Sequence, residues 1–148
     1  LLGLRKVDPA HASAYDSAYR RFSSEIDAKM GKWDSELRPL RGRPVVAYHD
    51  EWVYFYRRFD LKAFGYLEPK PGIPPSAGHV SHLITEMKGA GVKLVLVPSI
   101  YPLRFPEMVA KETGAKVARV PYSVGSMGTE SYIDYIDAIV AATARAGR

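Results

Sequence analysis

The chain contains 148 residues, of which 47% are hydrophobic and 25% are charged. This ordinary globular composition excludes a low-complexity or collagen-like chain, and no apolar run approaches the ~18 residues of a membrane span. Lys and Arg outnumber Asp and Glu by 21 to 16, and the net charge of +5 at first suggests a nucleic-acid or membrane-surface protein. Since there is no Cys, disulfides, thiolate ligands and Cys nucleophiles are excluded, and any metal site must use imidazole and oxygen ligands.

The first residues, 1–6, contain neither an initiator Met nor the apolar segment of a signal peptide. We therefore expect a fragment of a longer protein, whose localisation signal lies outside this sequence. Next, Asp8-Pro9 predicts a helix start, because Asp caps helices and Pro suits the first helical position. Apolar residues then recur every three or four positions, which predicts one amphipathic helix over residues 9–37 that Pro39 ends.

The remainder of the chain alternates strand and helix patterns. Apolar runs predict strands at 44–48, 63–67, 92–97 and 115–120, and helices are predicted at 51–59, 76–89, 106–113 and 131–146. A rigid loop is predicted from Pro69, Pro71, Pro74 and Pro75, and a flexible loop from residues 125–128. Parallel strands need helical crossovers, so we predict an α/β fold: a four-stranded parallel sheet covered by helices and preceded by one long helix.

Ligands of open parallel sheets bind at the carboxyl ends of the strands, so the residues after each strand are the candidates. The segment after the first strand has the richest chemistry: His49 is followed by Asp50 and Glu51, with aromatic residues around them. Neutral imidazole is a common metal ligand, and carboxylates orient it or add charge. The alternative is a His that caps the next helix or packs in a half-buried niche.

Other candidate sites are weaker. His79 and His82 are three apart and share a helix face, but no acidic third ligand is fixed nearby, and His11 is expected to be solvated. No Gly-rich fingerprint follows the first strand, and no G-x-S-x-G motif is present. The basic residues are scattered and form no strip with aromatic residues, so we expect no nucleic-acid partner.

The sequence as a whole resembles the second half of the zinc/manganese-type periplasmic substrate-binding proteins of ABC importers, the cluster A-I metal receptors. The resemblance rests on Asp8-Pro9 opening a long helix and on six further blocks: residues 45–55, 59–61, 75–76, 92–96, 109–117 and 131–133. It implies that residues 1–43 are the interlobe backbone helix and linker, and that residues 44–148 are the C-terminal lobe. It also implies a non-catalytic receptor, outside the cytoplasm, that binds zinc (or manganese) and delivers it to an ABC permease in the membrane.

The resemblance assigns His49 to the position of this lobe's His ligand. Two more His ligands would come from an N-terminal lobe that this sequence lacks, so the site is expected to be incomplete here. The family usually places a Glu after the third strand and its carboxylate ligand after the fourth, where this chain has Pro98 and Pro121. The carboxylate candidates are therefore Glu130 or Glu51, and the residues expected to line the site are Asp50, Trp52, Tyr101 and Tyr122.

Two other functions remain open. The first is a receptor-like solute-binding or docking domain that has lost metal binding, which Pro98 and Pro121 motivate. The second is a small α/β enzyme using His49 as a general base, oriented by Asp50 or Glu51. Separately, half a receptor leaves surface uncovered, so we expect self-association through the long helix or through a partly exposed aromatic face formed by Trp52, Tyr54, Phe55, Tyr56 and Tyr101.

Overall fold

A computed structural model describes residues 1–70 and 72–148 and divides into two compact units, Leu1–Ser35 and Glu36–Arg148. Pro71, which was predicted to belong to a rigid loop, lies outside the described residues. Across those two described ranges, no helix is both long enough and apolar enough to cross a membrane.

The long helix is confirmed, but its start differs from the prediction. A short helix α1 (Leu2–Val7) comes first, then a 3-10 turn at Pro9–His11, and only then α2 (Ala12–Leu37). The Asp8 carboxylate accepts hydrogen bonds from the Tyr15 hydroxyl at 2.7 Å and from His11 Nδ1 at 2.8 Å. These bonds hold the pKa of Asp8 below its usual range. His11 is therefore paired with a carboxylate rather than simply solvated, and Asp8 joins the turn to α2.

The second unit is the predicted α/β fold. Its strands form one parallel sheet in the order β2-β1-β3-β4. The 3-10 turn Arg38–Leu40 precedes the sheet. The strands and helices that follow are β1 (Pro44–Ala47), α3 (Val53–Phe59), β2 (Lys62–Tyr66), α4 (Ala77–Ala90), β3 (Leu94–Pro98), α5 (Arg104–Thr113), β4 (Lys116–Val120) and α6 (Tyr132–Gly147).

Buried side chains cover both faces of this sheet. Strand β3 is buried along its whole length, and its side chains alternate between the faces, as strand geometry requires. Val95 and Val97 belong to a core cluster that includes Val80, Leu83 and Met87 of α4 and Val109 of α5. Leu94 and Leu96 point the other way, toward the face that α6 covers with Ile139 and Val140. The sheet therefore lies between two helical layers, and its strand ends are the natural place for a site.

The end of α4 permits a paired test of backbone strain. Gly91 ends this helix in the left-handed conformation (φ 66°), whereas Gly89 lies inside it, and a Cβ at either position would meet no described atom within 4 Å. Gly91→Ala is expected to lower the free energy of unfolding by about 1–2 kcal/mol, because a Cβ is strained at positive φ. Gly89→Ala is expected to raise it by about 0.5–1 kcal/mol, since alanine favours the helix. Urea denaturation measures both changes, and effects of the same sign would contradict the prediction.

The expected exposed aromatic face is not formed. Trp52 and Tyr56 are buried in the second unit, with 7% and 6% of their surface exposed. Phe55 is half-buried and packs edge-on against both Trp52 and Phe59, and Tyr101 is half-buried in a ring stack. Of the five residues, Tyr54 alone is largely exposed, at 82%. The helical spacing of α3 turns its aromatic residues to different sides, so they do not form one surface.

Candidate metal centre

The sheet order places the candidate site at the carboxyl ends of β1 and β3. These two strands are neighbours, and the chain leaves β1 for β2 on one side and β3 for β4 on the other. A point where successive connections diverge leaves an open crevice between the strand ends. His49 follows β1 and Tyr101 follows β3, so both border this crevice.

His49 is half-buried at this edge with one ring nitrogen available. The backbone N–H of Asp50 donates to Nδ1 at 3.1 Å, and the described residues provide no hydrogen-bond partner for Nε2. The ring centroid lies 6.3 Å from that of Tyr101, with the planes tilted by 60°. Nε2 is thus the atom through which His49 can take a ligand, which favours the metal-ligand interpretation over that of a fully satisfied core His.

A pair of tyrosines forms the wall beside His49. The rings of Tyr48 and Tyr101 stack at a centroid distance of 4.1 Å and an angle of 7°. The backbone N–H of Tyr101 donates to the carbonyl of Pro98 at 3.1 Å, and this turn brings the ring back over the end of β1. Stacked rings hold one another in place, so this wall fixes one side of the crevice.

Glu51 lies close to the same group of side chains. Its backbone N–H donates to the His49 carbonyl at 3.1 Å, which folds the chain tightly after β1. Partial burial raises the pKa of Glu51, and the nearby His49 ring acts in the opposite direction. The Glu51 charge also helps to raise the pKa values of Tyr101 and Tyr135, after the larger effect of their own burial. Glu51 is an exposed residue whose charge interacts with both His49 and Tyr101.

The other proposed residues have different surroundings. Asp50 accepts a hydrogen bond from the Tyr66 hydroxyl at 2.8 Å, and burial together with this bond raises the pKa of Tyr66 to about 12. Tyr122 is exposed, and its hydroxyl adds to the raised pKa of Tyr101. Trp52 is buried, with no described partner for its indole N–H.

Glu130 is exposed, and no interaction among the described residues links it to His49. Both candidate carboxylates are exposed, and of the two only Glu51 has a described electrostatic interaction with His49.

His79 and His82, which were considered as a possible metal-binding pair, do not form a shared site. His79 Nε2 donates to the Tyr66 carbonyl at 2.8 Å, whereas His82 Nε2 lies 3.4 Å from the Glu86 carboxylate, one helical turn away. Each ring is thus occupied by a different local partner. In residues 1–70 and 72–148 there is also no group of three or more His, Cys, Asp or Glu side chains arranged to hold a metal ion.

One acidic residue at this edge was not singled out from the sequence. Glu68 follows β2, and its backbone N–H donates to the carbonyl of Tyr48, the residue before His49, at 2.9 Å. Only 8% of its surface is exposed. Its position directly after a predicted strand could have indicated it. That position points to the His49 edge only once β2 is known to lie next to β1.

Comparison with known proteins identifies the family. Residues 3–146 match the family model for ZnuA, the zinc-uptake complex component A, periplasmic. The chain belongs to the ZnuA family. This membership confirms the resemblance to periplasmic metal-uptake proteins.

Two curated relatives have the same name, high-affinity zinc uptake system protein ZnuA. The protein from Brucella abortus (strain 2308) is 26% identical over 113 residues, which cover 76% of this chain and 34% of the relative. The protein from Yersinia pestis is 22% identical over 135 residues, covering 90% of this chain and 42% of the relative. The chain thus spans well under half the length of these relatives.

Solved structures show the same fold. The SBP FpvC from Pseudomonas aeruginosa, in complex with Mn²⁺, matches with a TM-score of 0.78 and 26% identity over 97% of this chain and 55% of that one. FpvC has also been solved with Ni²⁺, with the same TM-score and identity. The laminin binding protein of Streptococcus agalactiae matches with a TM-score of 0.82 at 22% identity, over 99% of this chain and 56% of that one. The α/β architecture is therefore that of metal-binding proteins of this class.

Proposed function

We propose that this chain is the metal-binding receptor lobe of an ABC uptake system and that its cargo is zinc, with manganese as the alternative. The observation that carries this proposal is His49, half-buried at the sheet's carboxyl edge with Nε2 open to a ligand. Membership of the ZnuA family supports it. The proposed role is capture and delivery of an ion, in which no covalent bond is made or broken.

The organisation that we propose assigns residues 1–43 to an interlobe helix and linker, and residues 44–148 to a C-terminal lobe. The partners would be an N-terminal lobe and an ABC permease in the membrane, with the receptor in the periplasm. The curated relatives are named as zinc uptake proteins, and the family description is periplasmic, which supports this assignment. Because the chain covers only part of those relatives, the other lobe would supply the remaining ligands.

In the proposed site, His49 provides an imidazole nitrogen and Glu51 a carboxylate. Zinc takes about four nitrogen or oxygen ligands at ~2.0–2.2 Å, so two ligands leave half of the coordination shell open. Ligation through Nε2 places the ring proton on Nδ1, where the Asp50 N–H now donates. Metal capture would therefore break this hydrogen bond and turn the imidazole, and some of the binding energy would be lost in doing so.

Calorimetry with Zn²⁺ tests this function on the 148-residue chain. We expect a dissociation constant weaker than about 1 µM, because a site with two protein ligands is incomplete. His49→Ala is expected to remove this binding. The matched control is His82→Ala, since His82 is exposed and contacts Glu86 rather than the crevice. Equal affinity of the His49→Ala variant and the parent chain would contradict the assignment, and submicromolar binding that depends on His49 would show a complete site within this chain.

A second candidate is a receptor-like solute-binding or docking domain that has lost metal binding. Pro98 and Pro121 favour it, because they are buried at strand ends where the family usually has acidic residues. The same titrations separate the two functions, since this candidate predicts no response to Zn²⁺ or Mn²⁺ even at millimolar concentration.

A further inference from the structure

The segment that carries His49 leaves the sheet as an irregular turn. Backbone hydrogen bonds join β1 and β2 as far as Tyr48, whose carbonyl accepts the N–H of Glu68 at 2.9 Å. Residues 49–51 follow this last bond between the two strands and belong to neither a strand nor a helix. If nothing held this turn, it would have to be ordered when His49 binds a ligand, and ordering a backbone costs free energy.

A hydrogen bond from β2 ties this turn to the sheet. The Tyr66 hydroxyl donates to the Asp50 carboxylate at 2.8 Å. Within residues 1–70 and 72–148, no other hydrogen bond joins residues 49–51 to a strand or helix. Asp50 in turn donates its backbone N–H to His49 Nδ1 at 3.1 Å. The connection from Tyr66 to the imidazole ring therefore runs through a single residue.

Tyr66 is itself held in place by two neighbouring elements. It is the last residue of β2 and pairs with Ala47, the last residue of β1. Its carbonyl accepts a hydrogen bond from Nε2 of His79 in α4 at 2.8 Å. Its side chain is half-buried, so its ring has fewer conformations available than that of an exposed tyrosine. A residue can fix a turn only if its own position is fixed, and Tyr66 meets this condition.

We propose that Tyr66 is a positioning residue for metal capture: through the Asp50 carboxylate, it fixes the turn that presents His49 to a divalent cation. This inference deepens the proposed function and rests on it. The anchor holds the backbone of the turn and leaves the His49 ring free to rotate about its own bonds when Nε2 takes the ion. A turn that is ordered before binding lowers the free-energy cost of binding, as groups that orient a metal ligand generally do.

Calorimetry with Zn²⁺ on the 148-residue chain tests this role. Tyr66→Phe removes only the hydroxyl, and we expect the affinity to fall about three- to tenfold, because the turn must then be ordered on binding. Asp50→Ala removes the acceptor and should also weaken binding. The double variant should lose no more affinity than the weaker-binding single variant, since both changes break the same bond. Tyr54→Phe is the matched control, because Tyr54 is 82% exposed; it should leave the affinity unchanged.

A further variant separates the hydrogen bond from the charge of Asp50. Asp50→Asn keeps an oxygen acceptor for the Tyr66 hydroxyl and loses the charge, so it is expected to retain more affinity than Asp50→Ala. Equal losses of affinity in these two variants would overturn the proposal, because they would show that the charge of Asp50 acts on the ion.

The ¹⁵N chemical shifts of the His49 ring in the metal-free chain provide a readout that a loss of stability alone would not change. With the ring neutral, the parent chain is expected to show Nδ1 as an unprotonated acceptor. In Tyr66→Phe the shifts should move toward those of His82, whose side chain is 72% exposed. The shifts of His82 itself should be the same in both proteins.

The remaining outcomes distinguish this inference from the proposed function. If the parent chain binds Zn²⁺ through His49 and Tyr66→Phe binds it equally well, this inference alone is refuted. A lower melting temperature of Tyr66→Phe with unchanged affinity and unchanged His49 shifts would assign the hydroxyl to the fold only, and would overturn the inference in the same way. Absence of any response of the parent chain to Zn²⁺ would refute the proposed function and this inference together.

Discussion

Replacement of Leu96 by alanine is expected to lower the free energy of unfolding by about 3 kcal/mol, as measured by urea denaturation. Leu96 is fully buried in β3, on the face of the sheet that α6 covers. Its carbonyl also accepts the backbone N–H of Tyr48 at 2.9 Å. Truncation removes apolar contacts and leaves a cavity beside β3. The strands on both sides of β3 prevent the surrounding structure from closing over this cavity.

The matched control for this prediction is Leu2→Ala. Leu2 is 80% exposed in α1, so the same chemical change should alter the free energy of unfolding by less than about 0.5 kcal/mol. Because Leu96 lies directly beside the strand that leads to His49, we also expect a moderate loss of zinc affinity, smaller than that of His49→Ala. A loss of stability below about 1 kcal/mol for Leu96→Ala would show that the core beside α6 can close over the cavity.

A close contact between the end of α6 and the turn before β1 leads to the second large effect. A Cβ at Gly147 would lie 2.5 Å from both Cδ1 and Cδ2 of Leu40, which is itself 1% exposed. Gly147→Ala is expected to lower the free energy of unfolding by about 1–3 kcal/mol through this overlap. Leu40→Ala is expected to cost about 2–5 kcal/mol through loss of buried surface.

The double variant distinguishes steric overlap from a general weakening of the helix end. Leu40→Ala removes the atoms that an added Cβ would meet, so the two changes together should cost less than their sum by about 1 kcal/mol. Strict additivity in urea denaturation would contradict the close packing of these two residues. Gly89→Ala serves as the helical glycine control, because a Cβ there meets no described atom within 4 Å.

Local patterns in the sequence were sufficient for most of the fold. The apolar run of β3 and the spacing of apolar residues in α2 each act over a few residues, and both elements lie within a few residues of their predicted bounds. The exceptions also have local causes. Pro9 begins a 3-10 turn rather than an α-helix. Helix α1 was not predicted, because its apolar residues do not form the one-sided pattern that marks a packed helix; all of its residues are exposed in the structure.

The candidate site was only partly accessible from the sequence. His49 and Glu51 could be named because they follow a strong strand pattern directly. The hydrogen bond between the Asp50 carboxylate and Tyr66 could not be predicted, because the Tyr66 hydroxyl comes from another strand. In the same way, a partly exposed aromatic face was expected because half a receptor leaves surface uncovered, whereas the burial of Trp52 and Tyr56 depends on how α3 packs.

The sequence by itself determined which segments are strands and helices and that His49 ends a buried strand, because these depend on residues a few positions apart. The tertiary structure alone decided that the ends of β2, β1 and β3 lie side by side. That order brings Glu68, distant in sequence, next to Tyr48, the residue before His49, through a backbone hydrogen bond. Strand order depends on packing across the whole sheet, so no local pattern could place these two residues side by side.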